Sequence, residues 1–164
     1  MNAFVIDAFE FCRHKERRQG EIAVADLARL AGECADKSGV VRWSLEGGVD
    51  RLGFSKLSLL VTVSVQLLCQ RCLTKYAFDI ASESTLVLAK DEVNADEIEA
   101  MLEDDSIDVI VGQKALDILA LIEDETLLAI PLSAKHDVCP DQASLDALMS
   151  AKKDSPFAVL KGLN

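Results

Sequence analysis

Aromatic side chains make up only 5% of this 164-residue chain, and it has just three prolines. Half of the residues are apolar. Low-complexity and collagen-like classes are thereby excluded, and the aliphatic content suffices for one domain's core without disulfide staples. No run of 18 or more apolar residues is present, so no segment is suited to crossing a bilayer as a helix. The opening "MNAFVIDAFEF" lacks a basic leader and carries Asp7 and Glu10, so no secretory signal is expected. Five cysteines (Cys12, Cys34, Cys69, Cys72, Cys139) are an odd number, and a reducing cytoplasm with free or metal-bound thiols is the expectation. Positive charge is short as well: 17 Lys and Arg face 28 Asp and Glu, a net charge of -11. Free nucleic-acid binders show the opposite balance, because phosphate contacts need cations. An acidic chain works beside RNA through a local basic patch or by gripping a basic partner protein. Catalytic signatures are missing too, with no GxSxG, P-loop or GxGxxG and two histidines in all.

What is present is a patterned α+β sequence. Leu27, Leu30, Ala31 and Cys34 recur at helical spacing in "VADLARLAGECADKSG" and place Cys34 on a core stripe, with Ser38-Gly39 as the stop. The first 20 residues read as strand or loop and contain the basic run "CRHKERR". "VVRWSLEG" and "GVDRLGFSKL" suit a strand and a turn. From Leu57 to Leu67 apolar and polar residues alternate over eleven positions, the clearest strand in the chain. "YAFDIASESTLVLAK" returns as its hairpin partner, which makes "QRCLTK" the connection. Residues 91–126 hold 13 acidic side chains against one Lys. Within them, about 90–106 reads as an exposed helix or mobile loop and "SIDVIV" as a strand. "QKALDILALIEDETLL" reads as a helix over 114–128, with Ala115, Leu119, Ile122 and Thr126 along its centre and Asp117 and Asp124 opposite. A loop-rich tail follows from about 132. The expected architecture is one domain: a mainly antiparallel sheet, curved toward a partial barrel, packed against two or three helices.

Cys69 and Cys72 form a CxxC pair at the hairpin connection, and His136 and Cys139 repeat the spacing in the tail. Together they make a Cys3His set of the kind that binds one structural zinc. Three readings stay open: a metal site, a redox pair, or two small residues filling a turn. The redox reading calls for a helix after the pair, whereas "LTKYAFDI" is strand-like.

Three separated blocks, "CQRCLTKYAF", "DILALIEDETLLAIPLSAKHDVC" and "DSPFAVLKGL", together with "RRQGEIAVADLARL", resemble the bacterial YceD family, described as the large ribosomal RNA subunit accumulation protein. The resemblance implies a non-enzymatic role in synthesis, processing or stability of 23S ribosomal RNA. Some relatives carry a fuller cysteine knuckle in the tail, where this chain has only His136 and Cys139. The charge segregation adds an expectation of a split surface: Arg13, Lys15, Arg17, Arg18, Arg71 and Lys75 toward ribosomal RNA, Asp117 and Asp124 toward a basic ribosomal or processing protein. A small redox or zinc-handling protein and an acidic interaction adaptor are the alternatives.

Overall fold

The computed structural model describes residues 3–140 together with 146, 147 and 150; the block "DSPFAVLKGL" lies outside them. The alternation decides the centre of the molecule. Strands β4 (Ser55–Leu68) and β5 (Lys75–Ala89) form one long antiparallel hairpin. In β4 every residue of the series Leu57, Leu59, Val61, Val63, Val65, Leu67 is buried, while Leu60, Ser64 and Leu68 are exposed. Strand β3 (Val40–Val49) pairs antiparallel with β4, and β2 (Arg17–Ala23) with β3. Between β3 and β4 the Asp50 carboxylate accepts from the Leu52 and Phe54 N–H groups, and Gly53 takes the turn's positive φ of 88°. Strand β6 (Ile107–Val111) joins β5 in parallel. The crossover that a parallel pair requires is supplied by helix α3 (Glu92–Met101). The order β2-β3-β4-β5-β6 is an open mixed sheet, mainly antiparallel as expected, and not a closed barrel.

The helices differ from the sequence reading at their ends. The N-terminal stretch, read as strand or loop, holds a two-residue strand β1 (Val5–Ile6) and a helix α1 (Ala8–Arg13). Asp7 caps that helix by accepting from the Phe9 and Glu10 N–H groups at 3.1 Å each. Phe11 and Cys12 are buried against β3, where Gly47 leaves room: a Cβ there would stand 2.6 Å from the Phe11 carbonyl oxygen. The helix read over 25–35 is shorter, a 3-10 turn at Val24–Asp26 and then α2 (Ala28–Glu33). It stops because the Ala35 N–H donates to the Gln66 carbonyl at 2.7 Å instead of continuing the helical ladder. Leu27 and Leu30 are buried and Cys34 packs on the core, so the stripe lies where it was read.

Helix α4 (Ile118–Leu128) starts four residues later than expected. Leu116–Asp117 forms β7, paired with β1, and Ala115 is exposed outside the helix. The helix face that enters the core is Ile118, Ile122 and Thr126, with Leu119 partly buried beside it. The acidic segment before β6 is also less exposed than its composition suggests. Ala95 and Ile98 of α3 are buried with Val87 and Ala89 in a second small cluster.

Candidate metal centre

The β4–β5 connection is a tight knuckle. The Cys69 N–H donates to the Thr74 carbonyl at 3.0 Å and the Leu73 N–H to the Cys69 carbonyl at 2.8 Å. Leu73 takes a φ of 59° to close the turn, a left-handed conformation usually left to glycine. Cys69 continues the inward parity of β4 and is fully buried. After α4, the chain from Ser133 to Cys139 returns to this knuckle. The Gln70 N–H donates to the Ala134 carbonyl at 2.8 Å, the Arg71 guanidinium to the His136 carbonyl at 2.8 Å, and the Ser133 hydroxyl to the Gln70 amide oxygen at 3.0 Å.

The result brings Cys69, Cys72, His136 and Cys139 together, with their ligand atoms all within 4.8 Å of one another. The Cys69 and Cys139 sulfurs are 3.9 Å apart, and Cys72 Sγ lies 3.3 Å from His136 Nδ1. Metal–sulfur bonds of about 2.3 Å in a tetrahedron give edges of about 3.8 Å, so these separations fit one ion at the centre. The electrostatics point the same way. Burial opposes a Cys69 thiolate, but N–H groups of Cys72, His136 and Arg71 outweigh it and bring the thiol down to about 5. Burial and hydrogen bonding to Cys72 and Cys69 push Cys139 up to about 11. Two thiolates this close repel one another, and a cation between them would favour the ionised form of both. The Tyr76 ring lies 4.7 Å from the His136 ring and holds the imidazole against the knuckle. A β-strand, not a helix, follows Cys72, so no helix dipole acts on the pair.

The other predicted site residues are scattered. Arg13 pairs with Glu10 at 2.8 Å and Arg17 with Glu46 at 3.0 Å. Arg18 donates to the Ala3 carbonyl and lies over the Phe11 ring. Lys75 approaches Asp36 at 3.6 Å. Lys15 is exposed on a turn with φ of 51° and has no ion pair among the described residues. Asp117 caps α4 by accepting from the Leu119 N–H at 2.9 Å, and Asp124 accepts from the Arg29 guanidinium at 2.6 Å. Both acids thus serve the fold. The sequence reading passed over Asp79, Glu83 and Asp137, exposed or half-exposed acids with no ion pair among the described residues. For Asp79 and Glu83 the only signal is the alternation of β5; Asp137 stands in the tail between His136 and Cys139.

Comparison with known proteins bears on the same segments. The family described as "Large ribosomal RNA subunit accumulation protein YceD" matches residues 57–164, from the hairpin through the tail. The Haemophilus influenzae protein named "Large ribosomal RNA subunit accumulation protein YceD" is 28% identical over 151 residues, covering 88% of this chain and 85% of that protein. No solved structure matches. Since the family match takes in well over half of the chain, including both halves of the Cys3His group, the chain belongs to the YceD family.

Proposed function

We propose that this chain supports the accumulation of large-subunit (23S) ribosomal RNA in the cytoplasm as a binding protein without catalytic activity, and that its Cys3His group holds one structural zinc. The family description and the name of the H. influenzae relative supply the ribosomal RNA context. The zinc reading is carried by one observation, the convergence within 4.8 Å of four donors drawn from the knuckle and from the tail beyond α4. A sulfur-rich tetrahedral set selects zinc over oxygen-loving cations, and four protein ligands leave no open position for substrate. Such a centre ties segments together, which suits binding.

The surface charges favour a protein partner over direct RNA contact. Most of the basic patch is engaged within the chain, while the net charge of -11 attracts basic proteins. A basic ribosomal or processing protein is therefore the partner we put first. Lys15 and Arg71 keep direct RNA contact as the second reading.

Deleting the gene and measuring the ratio of 23S to 16S ribosomal RNA tests the role, with wild type and Cys69→Ser as complements. A fall in the ratio that wild type restores is expected; an unchanged ratio removes the proposed function. Elemental analysis of protein purified without chelator tests the metal. About one zinc per chain, lost in Cys69→Ser, is expected, and a metal-free wild type removes the zinc.

A further inference from the structure

Among the described residues, two thirds of strand β5 has no paired strand on its outer side. Strand β6 pairs only with Thr85–Ala89, so Lys75–Ser84 is bonded to β4 alone. Among the described residues no backbone hydrogen bond links this stretch to any other segment. An open edge of that length is a template for another strand. Proteins usually blunt such edges with lysine, proline or a bulge. The one lysine of the free stretch, Lys75, stands at its very start and approaches Asp36; from Tyr76 to Ser84 there is neither lysine nor proline, and the register with β4 runs without interruption.

The edge is chemically two-sided. Asp79 and Glu83 are exposed on its outer face, alternating with Ala77 and Ala81. Tyr76 and Phe78 are half-buried on the core face. Clefts open at both ends of the free stretch. One of about 460 Å³ lies between Tyr76–Asp79 and Lys135–Val138. The other, of about 340 Å³, lies beside Ser84 and includes Asp108, Glu125 and the exposed Leu128. The Ser84 hydroxyl at this second cleft is buried and has no hydrogen-bond partner among the described residues. Carboxylates outnumber cations along the whole edge, with Lys135 the one cation lining either cleft.

We propose that this edge accepts an extended basic segment of a partner protein as an added strand. Cationic side chains of that segment alternate toward Asp79 and Glu83, and apolar ones toward Tyr76 and Phe78. The proposal rests on the protein-partner side of the function above and names its surface. A second copy of this chain fits poorly, because edge-to-edge pairing would set Asp79 and Glu83 against like charges. Single-stranded RNA meets the same repulsion.

A fluorescent 11-residue peptide of alternating Lys and Val, titrated into the full chain, supplies the test. Two further peptides carry N-methyl groups on alternate residues, one in each phase. Only one phase removes the N–H groups that an added strand turns toward β5. The expected result is saturable binding that one methylated phase weakens by about tenfold or more and the other leaves nearly intact. Asp79→Lys with Glu83→Lys weakens it by a similar factor, while Asp96→Lys with Glu97→Lys on α3 does not. No binding, equal loss in both phases, or equal loss from both charge reversals overturns the proposal. So does a dimer of the free chain that the peptide disperses. Failure of the peptide alongside a 23S defect in the deletion strain sinks this surface and spares the function. Specific binding alongside a normal 23S level does the reverse.

Discussion

Glu123 joins two helices through one carboxylate. Helix α2 has no side-chain cap of its own, and Glu123 of α4 supplies it. One oxygen accepts from the Arg29 and Leu30 N–H groups at 2.7 and 3.0 Å, and the other accepts from the Arg29 guanidinium at 3.0 Å. Burial disfavours the charge, yet these donors prevail and hold the carboxyl below its ordinary 4.5. Replacing it by Ala should cost roughly 1 kcal/mol in urea unfolding, the usual cost of a lost cap. The pH dependence has a definite sign. A folded-state value below the unfolded one gives stability that is complete above 4.5 and is lost as pH falls through the folded value. Glu123→Gln cannot titrate, so the gap between it and wild type should narrow below pH 4.5. A gap that stays constant down to about pH 3 would show that the charge is not what caps the helix. None of this was readable from the sequence, because cap and helix are 94 residues apart. The four donors that converge at the knuckle were readable as two pairs, since each pair announces itself by local spacing. The capping pattern of Asp7 and Glu10 was equally local, and its use in rejecting a signal peptide hid the helix it starts.

At the scale of elements, legibility followed periodicity. The hairpin was plain because its alternation is long and one face is buried. The ends of α2 and α4 were not, because tertiary hydrogen bonds set them: Ala35 to Gln66 in one case, and Ile118 to the Phe4 carbonyl at 2.7 Å in the other. The open edge of β5 escaped the reading for a related reason, since strand neighbours are a property of topology. The segment that the proposed zinc would tie down is 133–139. It has no helix or strand of its own and meets the knuckle through three hydrogen bonds besides the four donor residues. Removing zinc with a chelator should therefore accelerate amide exchange at Gln70 and across 133–139 while the central amides of β4 stay protected. Exchange that is unchanged at the knuckle would mean that the hydrogen bonds alone hold it. Exchange that rises equally in β4 would mean that the metal supports the whole fold.

For the whole molecule the question is what a net charge of -11 permits near ribosomal RNA. Six cations were expected to face phosphate. If all six did so, affinity for a single strand would fall with salt at a slope of about -4 on logarithmic axes. Arg13, Arg17, Arg18 and Lys75 each have a carboxylate within 4.0 Å, so a phosphate would have to displace an existing partner. Lys15 and Arg71 have no such carboxylate among the described residues, and two contacts give a slope of only about -1.4. Even that attraction works against the acids of residues 91–126. Titrating a single-stranded RNA at several salt concentrations should accordingly give weak binding and a shallow slope. A slope near -4 would show that the intrachain pairs open for RNA, and the basic N-terminal surface would then be the contact. A shallow slope, together with retention of basic proteins after nuclease treatment, places the acidic side of the molecule at the interface. The cations then keep the shape of the domain, and the carboxylates left without partners choose what it binds.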